Sequence, residues 1–341
     1  MPDLSNIQIL YTALHRTGNP EMDEPLTLSA GLADLSDAES AFALKQLISG
    51  AFKNPESWVL TPEKNETDDI IQSILANPRD LYLQSVRLAE LWHQQVTKAQ
   101  GKPGDLFVCF LTHVMHGYRE MNGVAVFFSS VKDRFIKTVW NENRSGVENH
   151  TGIPVKNMEL GALILDNGEE QNPVFLQEQG KNPLGMVWKS DLLQVKPAVD
   201  EYNQTQHVLK MTREFVTKEM PEEFPVSRTE SIDLLSRSLE YFKNNEQFDK
   251  NEFAETVFEE PRIIDSFLKY DEDYSSYNNM PAAESFEIAS QAVKRQARIF
   301  KSVLKLDKNF HVYIHGNHNQ IEKGVDPDGR KFYKLYFNEE G

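Results

Sequence analysis

After Gly101-Lys102-Pro103-Gly104 the chain stops repeating like a helix and begins to repeat like strands. Apolar runs fall at 105–111, 123–128, 134–140, 160–166 and 173–177. Turn-forming stretches separate them: His116-Gly117-Tyr118, Asn122-Gly123, Asn141 to Gly152 and Asn167-Gly168. Joining parallel strands takes a crossover of a dozen or more residues, usually a helix. No helical pattern lies between these runs, so they are predicted to form an antiparallel meander rather than a doubly wound sheet.

Helical periodicity marks both flanks of this block. On the N-terminal side one strand-like run, IQILYTALH, ends near Gly18-Asn19-Pro20. Ser36 and Glu39 have capping-box spacing ahead of a helix through Leu47 and Ile48, and a second helix is predicted over 79–99. On the C-terminal side Tyr202, Val208, Leu209, Phe215 and Val216 fit a helix that Pro221 and Pro225 should break. Ser227 and Glu230 repeat the capping-box signal before Ile232, Leu235, Leu239 and Phe242, and further helical patterns run through Phe253 and Phe267. Ser275 to Pro281 is polar and Asn-rich and reads as a linker.

The last segment returns to strands. Lys301 to Gly316 reads as a hairpin turning at Asp307-Lys308-Asn309, residues that tolerate tight or left-handed backbone. Alternation puts Phe300, Leu304 and Leu306 on one face and Lys301, Val303 and Lys305 on the other. The return strand separates Phe310, Val312 and Ile314 from His311, Tyr313 and His315. A third run, Arg330 to Phe337, follows the turn signal Asp326-Pro327-Asp328-Gly329, and the expected product is one small antiparallel sheet. The fold class is α+β. The expected divisions are a mostly helical module at 1–100, a β-rich domain at 101–198, an acidic helical block at 199–280 and a basic helix and β-meander at 281–341.

Charge separates the last two. The chain carries a net −16, which repels phosphate at long range. From Glu219 to Glu284 there are 17 acidic and 6 basic residues, net −11; from Ser285 to Phe337 there are 10 basic and 5 acidic, net +5. Screening over roughly 8 Å at physiological salt lets such an island act locally. Its candidate contacts are a ridge of Lys294, Arg295, Arg298 and Lys301, and then Lys305, Lys308, His311, Tyr313 and His315 on the hairpin. Arg330, Lys331 and Lys334 follow on the third run. Lysine supplies charge to phosphate, and Tyr and His stack or donate. The same pattern also describes a solvated outer face, and a cationic helix C-terminus is favoured by the macrodipole alone.

Catalytic signatures are missing. The chain has no phosphate-binding G-x-x-x-x-G-K-[ST] loop, no G-x-G-x-x-G, no H-E-x-x-H and no G-x-S-x-G. One cysteine, Cys109, sits in an apolar run as a small buried hydrophobe, which rules out an internal disulfide and Cys₄ or Cys₂His₂ zinc. His311 and His315 are four apart on a strand, about 13 Å, too far to share a metal on a straight strand, and His318 follows in the loop. Asp166 and Glu178 match the acidic pair of a metal-dependent nuclease, without the E-x-K partner. No catalytic residue, metal or cofactor is assigned. No apolar run approaches the ~20 residues of a membrane helix, and MPDLSNIQIL is unlike a secretory signal, so a cytoplasmic protein without a membrane partner is expected.

The segment SVLKLDKNFHVYIHG at 302–316 resembles the C-terminal signature of bacterial nucleoid-associated proteins of the NdpA/YejK family. DLFVCF at 105–110, GVAVFF at 123–128, KDRFIK at 132–137 and GALILD at 161–166 are similar to the family's central strands. FAETVF at 253–258 and DGRKFYKLYF at 328–337 extend the likeness, which covers residues from about 100 to the end and the first 100 more loosely. The resemblance implies a non-enzymatic protein of the nucleoid that binds DNA, double-stranded and with low sequence specificity, since no recognition-helix motif is visible. It carries over no catalytic residue. An alternative reading has the acidic helices dock a basic DNA-processing protein, and a homo-oligomer is compatible with either.

Overall fold

The central runs are apolar in both parities: Leu106, Val108 and Phe110 alternate with Phe107, Cys109 and Leu111. Successive strand side chains point to opposite faces, so this sheet needs a cover on each side. The structure, a computed structural model, supplies both. It describes residues 1–341 apart from 20–23, 55, 62–64, 99–100, 142–143, 170, 181, 298–299, 301, 307–309, 315–320, 338 and 340–341. The chain divides into two compact units, 1–198 and 199–341.

Unit 1 runs β1 (Gln8–Thr17), α1 (Ala38–Ala51), β2 (Ser57–Leu60), α2 (Glu66–Ala76), α3 (Leu81–Lys98), β3 (Gly104–His116), β4 (Arg119–Ser129), β5 (Asp133–Asn141), β6 (Arg144–Gly152), β7 (Leu160–Leu165), β8 (Pro173–Glu178), α4 (Leu184–Val187) and β9 (Val195–Pro197). Seven strands form an antiparallel sheet in the order β1-β3-β4-β7-β8-β2-β9. One face buries Leu106, Val108, Val126 and Phe128 against Ile70 and Ile74 of α2, Leu88 and Trp92 of α3, and Trp188. The other buries Cys109, Leu111, Ala125 and Phe127 against Leu47 and Ile48 of α1 and Phe52. Burial pushes the Cys109 thiol up to about 12.

The antiparallel α+β reading holds, with four local corrections. The division expected at Gly101 falls inside unit 1, because β1 pairs with β3 from Gln8↔Thr112 to Thr17↔Gly104. The run 134–140 is a strand but lies outside the main sheet. It pairs with β6, whose residues had read as a loop, to form a separate two-stranded ribbon. Asn122-Gly123 is not a turn but the interior of β4. Gly123 is there for space: a Cβ would fall 2.8 Å from the Ile164 carbonyl oxygen and the Leu165 side chain. The cap of α1 is Asp37, whose carboxylate accepts from the Ser40 N–H, and not Ser36.

Unit 2 runs α5 (Glu201–Glu214), α6 (Met220–Glu223), α7 (Arg228–Asn244), β10 (Gln247–Asp249), α8 (Lys250–Phe258), α9 (Pro261–Tyr277), β11 (Ser285–Glu287), α10 (Ser290–Ala297), β12 (Ser302–Leu306), β13 (Phe310–Ile314), β14 (Ile321–Val325) and β15 (Lys331–Leu335). The Ser227–Glu230 capping box opens α7 as expected, with both reciprocal bonds present. Pro221 does not stop the first helix. The backbone stays helical through it: a π turn over Phe215–Glu219 precedes Pro221, and the helix runs on to Glu223. The core is aromatic: Phe215, Phe242, Phe248, Phe253, Phe258 and Phe267 pack together, and Val293 and Phe300 join them.

Two expectations in unit 2 are corrected. Ser275 to Pro281 is no loose linker. Ser275 is buried in the last turns of α9, Asn279 takes the left-handed conformation that ends a helix, and Met280 is buried again. Nor do the C-terminal strands form one sheet. Among the described residues β12 pairs only with β13, and β15 only with β14, Ile321↔Leu335 to Val325↔Lys331. The Asp326–Gly329 turn therefore closes its own hairpin, with Gly329 at φ +81°.

Trp92 is where the larger cover of unit 1 is keyed in. Its ring meets Phe128 edge-on at 5.2 Å and Trp188 at 4.9 Å, and its Nε1 has no hydrogen-bond partner among the described residues. The site needs ring volume rather than an N–H. Trp92→Ala should cost about 3–5 kcal/mol of stability, and Trp92→Phe less than half as much, read from urea midpoints. Equal losses would show that packing is not what Trp92 supplies.

Candidate nucleic-acid interface

The basic segment begins on a helix whose orientation is set by the core. In α10, Ala292, Val293 and Gln296 are buried, and the Gln296 amide donates to Gln206 Oε1 at 3.0 Å. That leaves Lys294 and Arg295 on the exposed side. Arg295 is anchored, donating to the Tyr202 hydroxyl at 3.2 Å. Lys294 lines a groove with Phe242, Lys243, Glu246, Glu287 and Ile288. Two lysines facing two glutamates make that groove neutral, so by itself it is not a phosphate site. Arg298 and Lys301 of the expected ridge lie outside the described residues.

On the first hairpin the register sets Lys305 opposite His311 and Val303 opposite Tyr313, with Leu304↔Val312 between them and Leu306↔Phe310 at the turn end. Positions 305, 311 and 313 therefore share one face, as alternation required. Lys308, His315 and His318 lie outside the described residues. The second hairpin carries lysine on both faces. Lys331, Tyr333 and Leu335 share one face, and Phe332 and Lys334 the other. Phe332 lies over Gly324, where a Cβ would fall 2.2 Å from the ring. Lys334 stands 4.7 Å above the Tyr336 ring and 3.9 Å from Glu322, and its ammonium pKa is held up by Tyr336 first and by Glu322. Arg330 is loosely paired with Asp328 at 3.8 Å. Arg330, Lys331 and Lys334 are all exposed.

The acidic pair considered for a nuclease is not assembled. Glu178 pairs with Leu160 at one end of β7, and Asp166 follows Leu165 at the other. Six residues of strand separate those ends by about 20 Å. Each carboxylate has local work. Asp166 accepts the Gly168 N–H in a turn, and Glu178 holds the Lys189 ammonium at 2.7 Å. Among the described residues no group of three or more His, Cys, Asp or Glu is placed to hold a metal ion. No described helix is long and apolar enough to cross a membrane.

One polar cluster went unread in the sequence. His207 Nε2 lies 2.9 Å from Ser275 Oγ, Ser275 donates to Asp271 Oδ1 at 3.1 Å, and Asp271 Oδ2 holds Lys250 Nζ at 3.0 Å. Lys250 also reaches Glu284 at 2.9 Å. Asp271 and Ser275 are buried. Ser275 has a single proton, and Asp271 takes it, so His207 Nε2 is the donor toward Ser275. A donor cannot serve as the base for that serine. The cluster is a clamp that ties α5, α8, α9 and residue 284 together. The only sequence signal was the spacing of Asp271 and Ser275 on one helix face, and their partners are 21 to 68 residues away.

The described parts define a class: an α+β protein of two units, a two-faced antiparallel sheet and an aromatic helical core that carries basic hairpins. The chain belongs to the family of the nucleoid-associated protein YejK, whose family model matches residues 14–329. That match spans both units, takes in Lys294 to His315 and stops just before Arg330 and β15. Comparison with curated proteins gives no match.

The clamp makes unit 2 sensitive to pH. Burial, opposed by the nearby Asp271 carboxylate, lowers the His207 pKa from 6.5 to about 4. Between those values the unfolded chain binds the extra proton and the folded chain does not, so stability rises with pH. The contribution is complete above about pH 6.5 and is lost as the pH falls toward 4, by roughly 2–3 kcal/mol. Wild type should therefore lose more stability than His207→Gln between pH 7 and 4.5 in urea melts. Identical losses would remove His207 from the account.

Proposed function

We propose that the protein is a non-enzymatic DNA-binding protein of the nucleoid that holds duplex phosphates through residues 285–337, with low sequence specificity. The observation that carries this is charge segregation: a net of +5 in that segment, directly after −11 in 219–284. The described basic side chains Lys294, Lys331 and Lys334 are exposed, as phosphate contacts must be. Binding of this kind releases counterions, with a slope of log K against log salt near −0.9 per phosphate contacted. The hairpins lack a helix suited to base reading, which agrees with backbone contact.

A second reading keeps the nucleoid role but makes DNA contact indirect. It is favoured by exposed acidic residues on α8 and α9, among them Glu255, Glu272 and Asp273, which suit a basic DNA-processing protein. Titrating labelled duplex at several salt concentrations separates the two. Direct binding predicts that Lys331→Glu plus Lys334→Glu weakens affinity and flattens the salt slope by about 1 to 2. The two lysines lie on opposite hairpin faces, so the single variants should differ and identify the face in contact. Unchanged affinity and slope in the folded double variant would contradict the proposal. Duplex incubated with Mg²⁺ or Mn²⁺ should stay intact; cleavage that disappears in Asp166→Ala would make the protein a nuclease.

A further inference from the structure

The β5–β6 ribbon is built firmly at its root and left bare along its length. The buried Glu159 carboxylate accepts the backbone N–H groups of Ser130 at 2.6 Å and Val131 at 3.3 Å, and the Asn182 amide at 3.0 Å. Lys132 is fixed to Asp105 at 3.2 Å. Beyond that root every residue from Asp133 to Trp140 except Val139 is exposed. A lone two-stranded ribbon is marginal in water, so one this long needs a cover.

Its faces differ. The register places Asp133, Phe135, Lys137, Glu148 and His150 on one face, where Phe135 stacks on His150 at 5.6 Å and His150 meets Glu148 at 3.2 Å. The other presents Ile136, Trp140 and Val147, exposed by 72%, 77% and 71%, with Thr138 opposite Val147. Among the described residues Arg134 is the one charge on that face.

We infer that this face docks against the same face of a second copy of the chain, the two ribbons crossing antiparallel about a two-fold axis near residue 137. That arrangement brings Ile136 and Thr138 of each copy together at the centre. It also sets each Arg134 over the other copy's Trp140, a cation–π contact that removes the repulsion a parallel arrangement would create between the two arginines. DNA fits the face less well. One cation along roughly 30 Å of ribbon releases few counterions. The face measures roughly 300 Å² in plan, below the ~800 Å² per partner of a standard stable interface, so the dimer is weak and reversible.

The test uses the full chain. Sedimentation velocity between about 1 and 100 µM should move from monomer toward dimer, with Ile136→Glu plus Val147→Glu staying monomeric at an unchanged melting temperature. Thr138→Cys supplies a second measure, because the native Cys109 is buried and silent. A short bis-maleimide should give a covalent dimer from Thr138→Cys and none from Lys137→Cys on the opposite face. A wild type that is monomeric throughout, a glutamate variant that still dimerises, or a Thr138→Cys protein that does not cross-link would each overturn the inference. So would Trp140→Ala weakening duplex affinity with no change in mass, which would give the face to nucleic acid.

Discussion

Burial on both sides of one antiparallel sheet governs unit 1. Each of the long strands β3, β4 and β7 puts large apolar side chains on both faces, so neither face can meet water. Helices α2 and α3 take one face and α1 the other, and the sheet ends in β1 on one side and in the short strand β9 on the other. Antiparallel pairing frees these helices from serving as crossovers. They come instead from the chain before β3, which is why residues 1–100 cannot stand apart from the sheet they cover.

Much of this was legible in the sequence, because local periodicity encodes it. The strand cores at 105–111, 123–128, 160–166 and 173–177, the helix over 79–99 and the Ser227–Glu230 cap are signals confined to a few residues. What was illegible depends on distant partners. The ribbon strand at 134–140 has the same composition as a sheet strand, and only its neighbours show that it pairs elsewhere. Asn122-Gly123 has turn chemistry, yet the space taken by Ile164 and Leu165 explains the glycine. The Asn-rich stretch at 275–281 suggested freedom, but Asn is also the residue that ends a helix in left-handed backbone.

The candidate interface divides the same way. Alternation alone placed Lys305, His311 and Tyr313 at positions on one face, and the hairpin register agrees. The expectation of a single sheet failed because an unrecognised strand, Ile321–Val325, pairs with the last run, and alternation along that run puts Lys331 and Lys334 on opposite faces. The basic segment is also less separable than its charge implies. Val293 and Phe300 sit in the aromatic core, Phe248 of β10 stacks on Phe286 of β11 at 4.7 Å, and Lys250 holds Glu284. The acidic helices and residues 281–297 are thus one folded body, with Phe300 in the same core. A buried ion pair such as Lys250–Asp271 adds little net stability against an apolar pair, but losing one partner costs about 3–5 kcal/mol. Its effect is to specify how Glu284 and the segment that follows join the helices.

The DNA interface proposed for this protein lies in residues 285–337 and not in the acidic helices or the ribbon. Hydrogen–deuterium exchange on the full chain, with and without a short duplex, tests it most directly. Slowed exchange is expected only in 285–337, lost on raising the salt, with 219–284 and 133–152 unchanged. Protection in 133–152 or 219–284 while 285–337 exchanges as in the free protein would contradict it.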